Sequence, residues 1–351
     1  MQCWRCVLYS FLILLTMLCC MGCGSNSTQL QEFSDEKFIM DTLIQITVFS
    51  ENEQQGSKAL QDAFTAFEQI NKLADRFTDD QSDLSDVNKI NQSAGIGPVQ
   101  VSDHTINMLE RSKYFSEISD GAFDVSIAPI MDLWGFGSNW RIPSQDELDK
   151  ALDQVDYRKI EIDCLNDTVI LTEPGMGLDL GGVAKGYATD RAVMALINNG
   201  IEHALINAGG NIYALGTKPD GSLWQVGVQD PRGNGIIAII SVKDKAVVTS
   251  GDYQRYFIQG GVRYHHILDP STGQQARDVI QATVVNDSAT DADILSTAIF
   301  VLGPEDGVNI AKEVENTELI IITPDKQLLY TDKLSNQLVF TGKGEYHPIA
   351  R

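Results

Sequence analysis

Three scarcities bound what this chain can be. Of its six cysteines, Cys3, Cys6, Cys19, Cys20 and Cys23 fall at the extreme N-terminus, and only Cys164 lies in the body. The body therefore cannot close an internal disulfide or build a cysteine-based metal site, and its fold must rest on its core. Positive charge is also short: 26 Lys and Arg stand against 48 Asp and Glu, a formal net charge of −22. Such a surface repels phosphate backbones, which sets nucleic-acid binding aside; a nucleotide ligand would need a metal ion or backbone amides to meet its phosphates. Histidine is the third, with five residues. No His-Glu-x-x-His pattern occurs, which argues against a zinc hydrolase, and no Gly-x-Ser-x-Gly elbow occurs for a serine esterase.

The apolar run from Val7 to Leu18 is too short for an ordinary membrane span and reads as an export signal. The CMGC stretch that follows looks like a lipobox, with cleavage before a lipidated Cys23, although Cys20 stands where leucine is usual. The expected division is a signal peptide over residues 1–22, a polar tether over 23–37 and one folded domain over 38–351. A plain cleaved signal or an uncut anchor is the alternative.

Within the body, TLIQITVFS alternates as a half-buried strand. From Ser57 to Phe77, Leu60, Phe64, Phe67, Ile70, Leu73 and Phe77 recur at steps of three and four, the stripe of an amphipathic helix. A second helix is expected over Thr105–Ile118. Past Thr168 short strands dominate (TVILT, HALINAGGNIYAL, WQVGVQD, IIAIISV, KAVVTSG, RYFIQ), interrupted by one helix from Ala184 to Asn199-Gly200. Helices over Ala292–Leu302 and Gly307–Val314 and the strands TELIIIT and LLYT end the chain. No internal repeat is present. The pattern predicts an α+β fold with mixed sheets and packed helices in two tightly joined lobes.

Four stretches could carry chemistry. DLGGVAKGYATD, residues 179–190, puts two glycines before a lysine and a helix start, where backbone amides can face an anion; a tight helix–strand crossing would need the same glycines. NAGGNIYALG, residues 207–216, adds a second glycine pair within an expected strand, where a missing side chain lets a ligand or another backbone approach. In ATDADILSTAIFVLG, Asp293 and Thr297 share a helix face and could hold a hard cation; equally, Asp291 and Asp293 could simply favour the positive helix end, with Asp291 or Thr290 as cap. RYHHILDPSTG, residues 263–273, sets two histidines before a turn. Neighbouring strand residues face opposite ways, so at most one of the pair serves a given cleft. His104 and His203 read as packing residues.

Taken together, MDTLIQI, GAFDVSIAPIMDLWGFG, DLGGVAKGYATD, NAGGNIYALG, WQVGVQDPR, VVTSGDYQRYF, RYHHILDPSTG and ADILSTAIFVLG resemble, in order and spacing, the ApbE-type FAD:protein FMN transferases. The likeness runs from Met40 nearly to the C-terminus and implies an ApbE-like, T-fold-related architecture. It also implies an activity: FAD as substrate, split with Mg²⁺ at its pyrophosphate, FMN passing to a threonine hydroxyl of a target flavoprotein, and AMP released. Carried over residue by residue, it implies that Asp293, Thr297 and the Gly182 carbonyl hold Mg²⁺. Met40, Phe77, Gly121, Ala122, Phe123, Asp179, Lys185 and Ile267 would line the FAD site, and His266 would be the base. Two residues depart from the family's usual pattern: Asp41 stands where glycine is common after the methionine, and Phe77 where many members have tyrosine. The alternatives are an FAD pyrophosphatase using water as acceptor and a non-catalytic FAD-binding lipoprotein. The expected partners are an Rnf- or Nqr-like acceptor subunit and an outward-facing membrane surface reached through lipid on Cys23.

Overall fold

The computed structural model describes residues 30–77, 84–136, 139–342 and 345–351. The expected signal peptide, and the tether as far as residue 29, lie outside these. The rest of the expected tether is not a tether. Gln31–Ile39 forms strand β1, paired residue for residue with β2 (Thr42–Ser50). Its side chains are mostly exposed, so it has no buried face to write an alternating pattern, and its order comes from the ladder with β2. The Met40-Asp41 turn joining them has both residues at positive φ, 56° and 57°, as a two-residue type I′ turn requires.

Helix α1 (Glu53–Ala74) starts earlier than its apolar stripe suggests, because the Asn52 side chain caps the Gln55 amide. It buries Leu60, Phe64, Phe67 and Ile70, the larger of them contributing about 1.5–3 kcal/mol each. Helix α2 (Asp86–Gln92), strand β3 (Val99–Gln100) and helix α3 (Asp103–Ile118) follow, then α4 (Ala128–Trp134) and α5 (Gln145–Leu152). Strands β4 (Ile160–Asp163) and β5 (Thr168–Leu171) join β3 in a small sheet. Helix α6 (Ala184–Asn198) leads to β6 (His203–Ala208), β7 (Asn211–Leu215), β8 (Trp224–Gln229), β9 (Ile236–Val242) and β10 (Lys245–Gly251). The hairpin β11 (Tyr256–Gln259) and β12 (Val262–His265) precedes β13 (Gln281–Asn286), α7 (Ala289–Leu302) and α8 (Pro304–Glu313). Strands β14 (Glu318–Ile322), β15 (Gln327–Tyr330), β16 (Leu338–Phe340) and β17 (His347–Ala350) close the chain.

The centre is a nine-stranded sheet in the order β1-β2-β6-β7-β10-β13-β14-β15-β17, antiparallel except for the β15–β17 pair. Its strands sort their residues by face. In β14, Leu319 and Ile321 point to the helices while Ile320 and Ile322 point to a three-stranded sheet of β16, β9 and β8. The helices therefore cover one face and a second sheet the other, the α+β arrangement expected. The core on the helix side runs unbroken from Ile39 to Leu329, so the two lobes share it.

Candidate active site

The site forms where α6 crosses α7. Gly186 lets them touch: a Cβ there would lie 2.3 Å from the Ala289 carbonyl oxygen and 2.7 Å from Asp293 Cβ. The Gly186 amide donates to Asp293 Oδ2 at 2.9 Å, and not to the Gly182 carbonyl four residues before it. Among the described residues, nothing donates to that carbonyl. The other Asp293 oxygen accepts from Asn211 Nδ2 at 2.9 Å and lies 3.8 Å from Lys185 Nζ. Burial pushes the Asp293 carboxyl above its ordinary range, against the pull of Lys185, the Gly186 amide and Asn211.

Asp293 is not a helix-dipole residue, and neither Asp291 nor Thr290 is the cap. Ser288 caps α7 by accepting from the Asp291 amide, and Asp291 instead holds Arg111 through two hydrogen bonds of 2.6 Å. The start of α7 is further held by Asp190 of α6, which accepts from the Ser288 and Thr290 hydroxyls and the Ala289 and Thr290 amides. One turn beyond Asp293, the Thr297 hydroxyl stands 3.4 Å from Ser250 Oγ. A Cβ on Gly182 would lie 3.8 Å from Thr297 Oγ1 and 2.9 Å from the Phe123 ring, so Gly182, Thr297 and the Gly121-Ala122-Phe123 loop converge.

Asp179 receives the Gly181 amide on Oδ1 at 2.8 Å and Arg76 Nε on Oδ2 at 2.7 Å. Arg76 lies 4.3 Å from the centre of the exposed Phe77 ring, so the structure reaches Phe77 from Asp179 through an arginine that the sequence did not single out. Phe77 itself follows the end of α1 and is not part of it. The Met40-Asp41 turn lies next to the Gly209-Gly210 turn, where the Gly209 amide donates to the Leu43 carbonyl at 3.1 Å, and Asn211 follows directly. A separate depression of about 470 Å³, lined by Arg76, Asn91, Asp132, Lys150 and Gln154, holds none of the site residues expected from the sequence.

The histidine pair divides as strand geometry requires. His265 is buried, with Nε2 2.9 Å from the Ala276 carbonyl and Nδ1 accepting from the Ile267 amide, against the edge of Phe300. Burial pushes it down to about 4. His266 is half-buried and leans toward β11. Its amide donates to the Arg255 carbonyl at 3.1 Å, and its Nδ1 lies 3.3 Å from the same oxygen. That bond fixes the tautomer with the proton on Nδ1 and leaves Nε2 as an open acceptor, unpartnered among the described residues. Desolvation, then the charges of Arg255, His265 and Lys185, push His266 down to about 3, so the ring is neutral at pH 7. Ile267 is buried, with its carbonyl accepting from Ala276. His104 meets Tyr187 Oη at 3.0 Å and His203 the Thr217 carbonyl at 2.6 Å, both structural contacts.

Asn211, Asp190 and Arg76 were legible only as motif neighbours. Asn211 follows the second glycine pair and Asp190 ends DLGGVAKGYATD, but their partners lie 82 and about 100 positions away in sequence.

A buried carboxylate beside a lysine and an open helix-start carbonyl, with a neutral histidine that feels that lysine's charge, define a group-transfer or phosphate-cleaving class of site. The chain belongs to the ApbE family, whose sequence profile matches residues 40–321. An FAD:protein FMN transferase of Treponema pallidum is 35% identical, with 92% of this chain and 93% of that protein aligned. One from Klebsiella pneumoniae is 32% identical over 85% of this chain and 91% of its own length. Among solved structures, the ApbE protein of Thermotoga maritima superposes with a TM-score of 0.81 at 35% identity, covering 88% of this chain and 99% of its own. The flavinyl transferase ApbE of Pseudomonas stutzeri gives 0.76 at 27%, covering 90% and 98%.

Proposed function

We propose that this chain is an FAD:protein FMN transferase that moves FMN from FAD to a threonine hydroxyl of a target flavoprotein and releases AMP. The observation that carries the reading is the diverted Gly186 amide. By bonding Asp293, it leaves the Gly182 carbonyl open beside Thr297 and sets three kinds of oxygen donor in one place.

Those donors suit a hard divalent cation. Among the described residues no cluster of three or more His, Cys, Asp or Glu side chains could hold a metal, so water or substrate phosphate oxygens would complete the shell of a bound ion. Asp293, Thr297 and the Gly182 carbonyl would hold Mg²⁺, which supplies charge neutralisation at the pyrophosphate. Lys185 adds a positive charge beside Asp293, and amides at the start of α6 can donate to phosphate oxygens. His266 Nε2 takes the proton of the acceptor threonine as its oxygen forms a bond to the FMN phosphorus. The P–O bond to the AMP phosphate breaks, and AMP leaves with that electron pair. The approach of the anionic substrate raises the His266 pKa toward the range where it can hold that proton. The Phe77 face is available to stack a flavin or adenine ring, without a hydroxyl to add a hydrogen bond.

The same reading places the protein outside the cytoplasm, tethered by lipid on Cys23 and serving an Rnf- or Nqr-like redox subunit. The lipobox-like stretch supports it; among the described residues no helix is long and apolar enough to cross a membrane. Cys23→Ala should shift the protein from the membrane fraction to the soluble one, and an unchanged partition would refute the lipid anchor. The activity is tested by incubating residues 28–351 with FAD, Mg²⁺ and the flavin-accepting domain of an Nqr-type subunit. A fluorescent acceptor band after denaturing electrophoresis, lost with chelator, is expected. AMP and free FMN with a dark band would show a pyrophosphatase instead.

A further inference from the structure

Strands β11 and β12 form a two-stranded ribbon that pairs with none of the three sheets. Such a ribbon is marginal alone, and this one is anchored by one face. Phe257 stacks on Tyr264 at 5.1 Å and meets Trp140 at 5.4 Å, while Tyr264 packs on Trp134 at 5.8 Å. The opposite face is bare at Ile258, which is 63% exposed, whereas the Arg263 guanidinium lies 4.4 Å from the centre of the Tyr256 ring and His265 is buried.

The outer edge of the ribbon is bare as well. The His266 amide bonds the Arg255 carbonyl, so Arg255 and His266 form a hydrogen-bonded rung, and alternation makes Tyr256–His265 and Ile258–Arg263 the rungs whose backbone groups point outward. On the β12 side Arg277 already covers this edge by donating to the Arg263 carbonyl at 3.0 Å. On the β11 side nothing among the described residues meets the Tyr256 and Ile258 amides. Exposed apolar edges are normally blunted because they recruit other strands.

Two features tie this edge to the site. The His266 ring lies against the Arg255 carbonyl at the start of β11, so a strand added about 4.8 Å beyond β11 would run past the end of the ribbon that holds this histidine. The exposed Arg255 guanidinium, whose charge reaches His266, has no partner among the described residues, whereas Arg263 and Arg232 both bond Asp252. We propose that the β11 edge is the docking site for the acceptor protein, whose threonine-bearing segment adds to the ribbon as an extended strand and places a carboxylate on Arg255. The proposal rests on the transferase reading above. Main-chain bonding gives it affinity for any extended segment, and Arg255 gives it a preference for acidic ones.

The test uses residues 28–351 with an Nqr-type acceptor domain, measuring the KM for acceptor and, separately, FAD affinity by flavin fluorescence. Ile258→Pro removes an outward amide at a position where proline leaves the β11–β12 ladder intact, and Arg255→Glu reverses the free charge. Each is expected to raise the acceptor KM roughly tenfold or more with FAD affinity within about twofold. Ile258→Lys, which keeps the amide and covers the apolar face with charge, should also raise KM and guards against a folding fault in the proline variant. An unchanged acceptor KM with active wild type overturns the docking site alone. A loss of FAD affinity in Arg255→Glu makes Arg255 a substrate-phosphate ligand and also overturns it, as does a wild-type dimer in light scattering that Ile258→Lys dissociates. Absence of transfer by the wild type would refute the transferase reading and this proposal with it.

Discussion

Gly186→Ala adds one carbon where α6 and α7 touch, and ordinary reasoning about helices would call it stabilising. Alanine is favoured over glycine inside a helix by about 1 kcal/mol. Here the new Cβ would stand 2.3 Å from the Ala289 carbonyl oxygen, a main-chain atom that cannot rotate away. Restoring contact near 3.5 Å requires the two helices to part by about 1 Å. Overpacking of this kind costs about 1–3 kcal/mol. The same displacement stretches the 2.9 Å bond from the Gly186 amide to the buried Asp293 carboxylate, and a hydrogen bond to a charged group is worth about 1.5–3 kcal/mol. Against the propensity gain, a net loss of about 1.5–5 kcal/mol is expected, read as a lower urea midpoint at unchanged slope. Because the amide released from Asp293 can close onto the Gly182 carbonyl, transfer activity should fall further than stability does. A variant as stable as the parent and fully active would refute the reasoning about this crossing, and with it the explanation of why the Gly182 carbonyl stays open.

Replacing His266 by Gln should lower the rate of transfer by about 10²–10⁴-fold, the usual worth of a general base, with FAD affinity little changed. The His265→Gln enzyme should instead be less stable yet keep most of its turnover; equal damage to turnover in single-turnover assays would refute the division of the pair. Acidification should destabilise the fold through His265, held near 4 when folded against 6.5 when unfolded. The unfolded chain takes up that proton first, so stability is lost as pH falls from about 6.5 to 4, by about 3 kcal/mol from this group, and the loss should shrink in His265→Gln. Asp41→Gly should raise stability by up to about 1 kcal/mol, since only the side chain opposes the positive φ of 57° there, and thermal melting would detect it.

Much of the frame was legible because periodicity and burial agree. The stripe of Leu60, Phe64, Phe67 and Ile70 is the buried face of α1, and the alternating and β-branched runs past Thr168 became strands of the central and flanking sheets. Strand β1 was illegible because most of its side chains are exposed. Helix α7 was placed three residues late, since its cap at Ser288 precedes the apolar run, and strand β13 went unread although Asn286, Asp287 and Ser288 mark its end. Within the site, Asp293, Thr297 and Lys185 could be marked by residue type and spacing. What no single stretch encodes is which partner meets which: the Asn211–Asp293 and Arg76–Asp179 contacts, and the hold of Asp190 on the start of α7, are made between elements by packing. Strand alternation alone required that His265 and His266 face different ways; which of them would serve the site came only from the family resemblance.

The most direct test is the intact mass of an Nqr-type acceptor domain after incubation with FAD, Mg²⁺ and the enzyme, alongside AMP release and with the acceptor threonine replaced by valine in parallel. A transferase requires an increment of one FMN less one water on the threonine form only, with one AMP per acceptor modified. AMP release with an unmodified acceptor would contradict it.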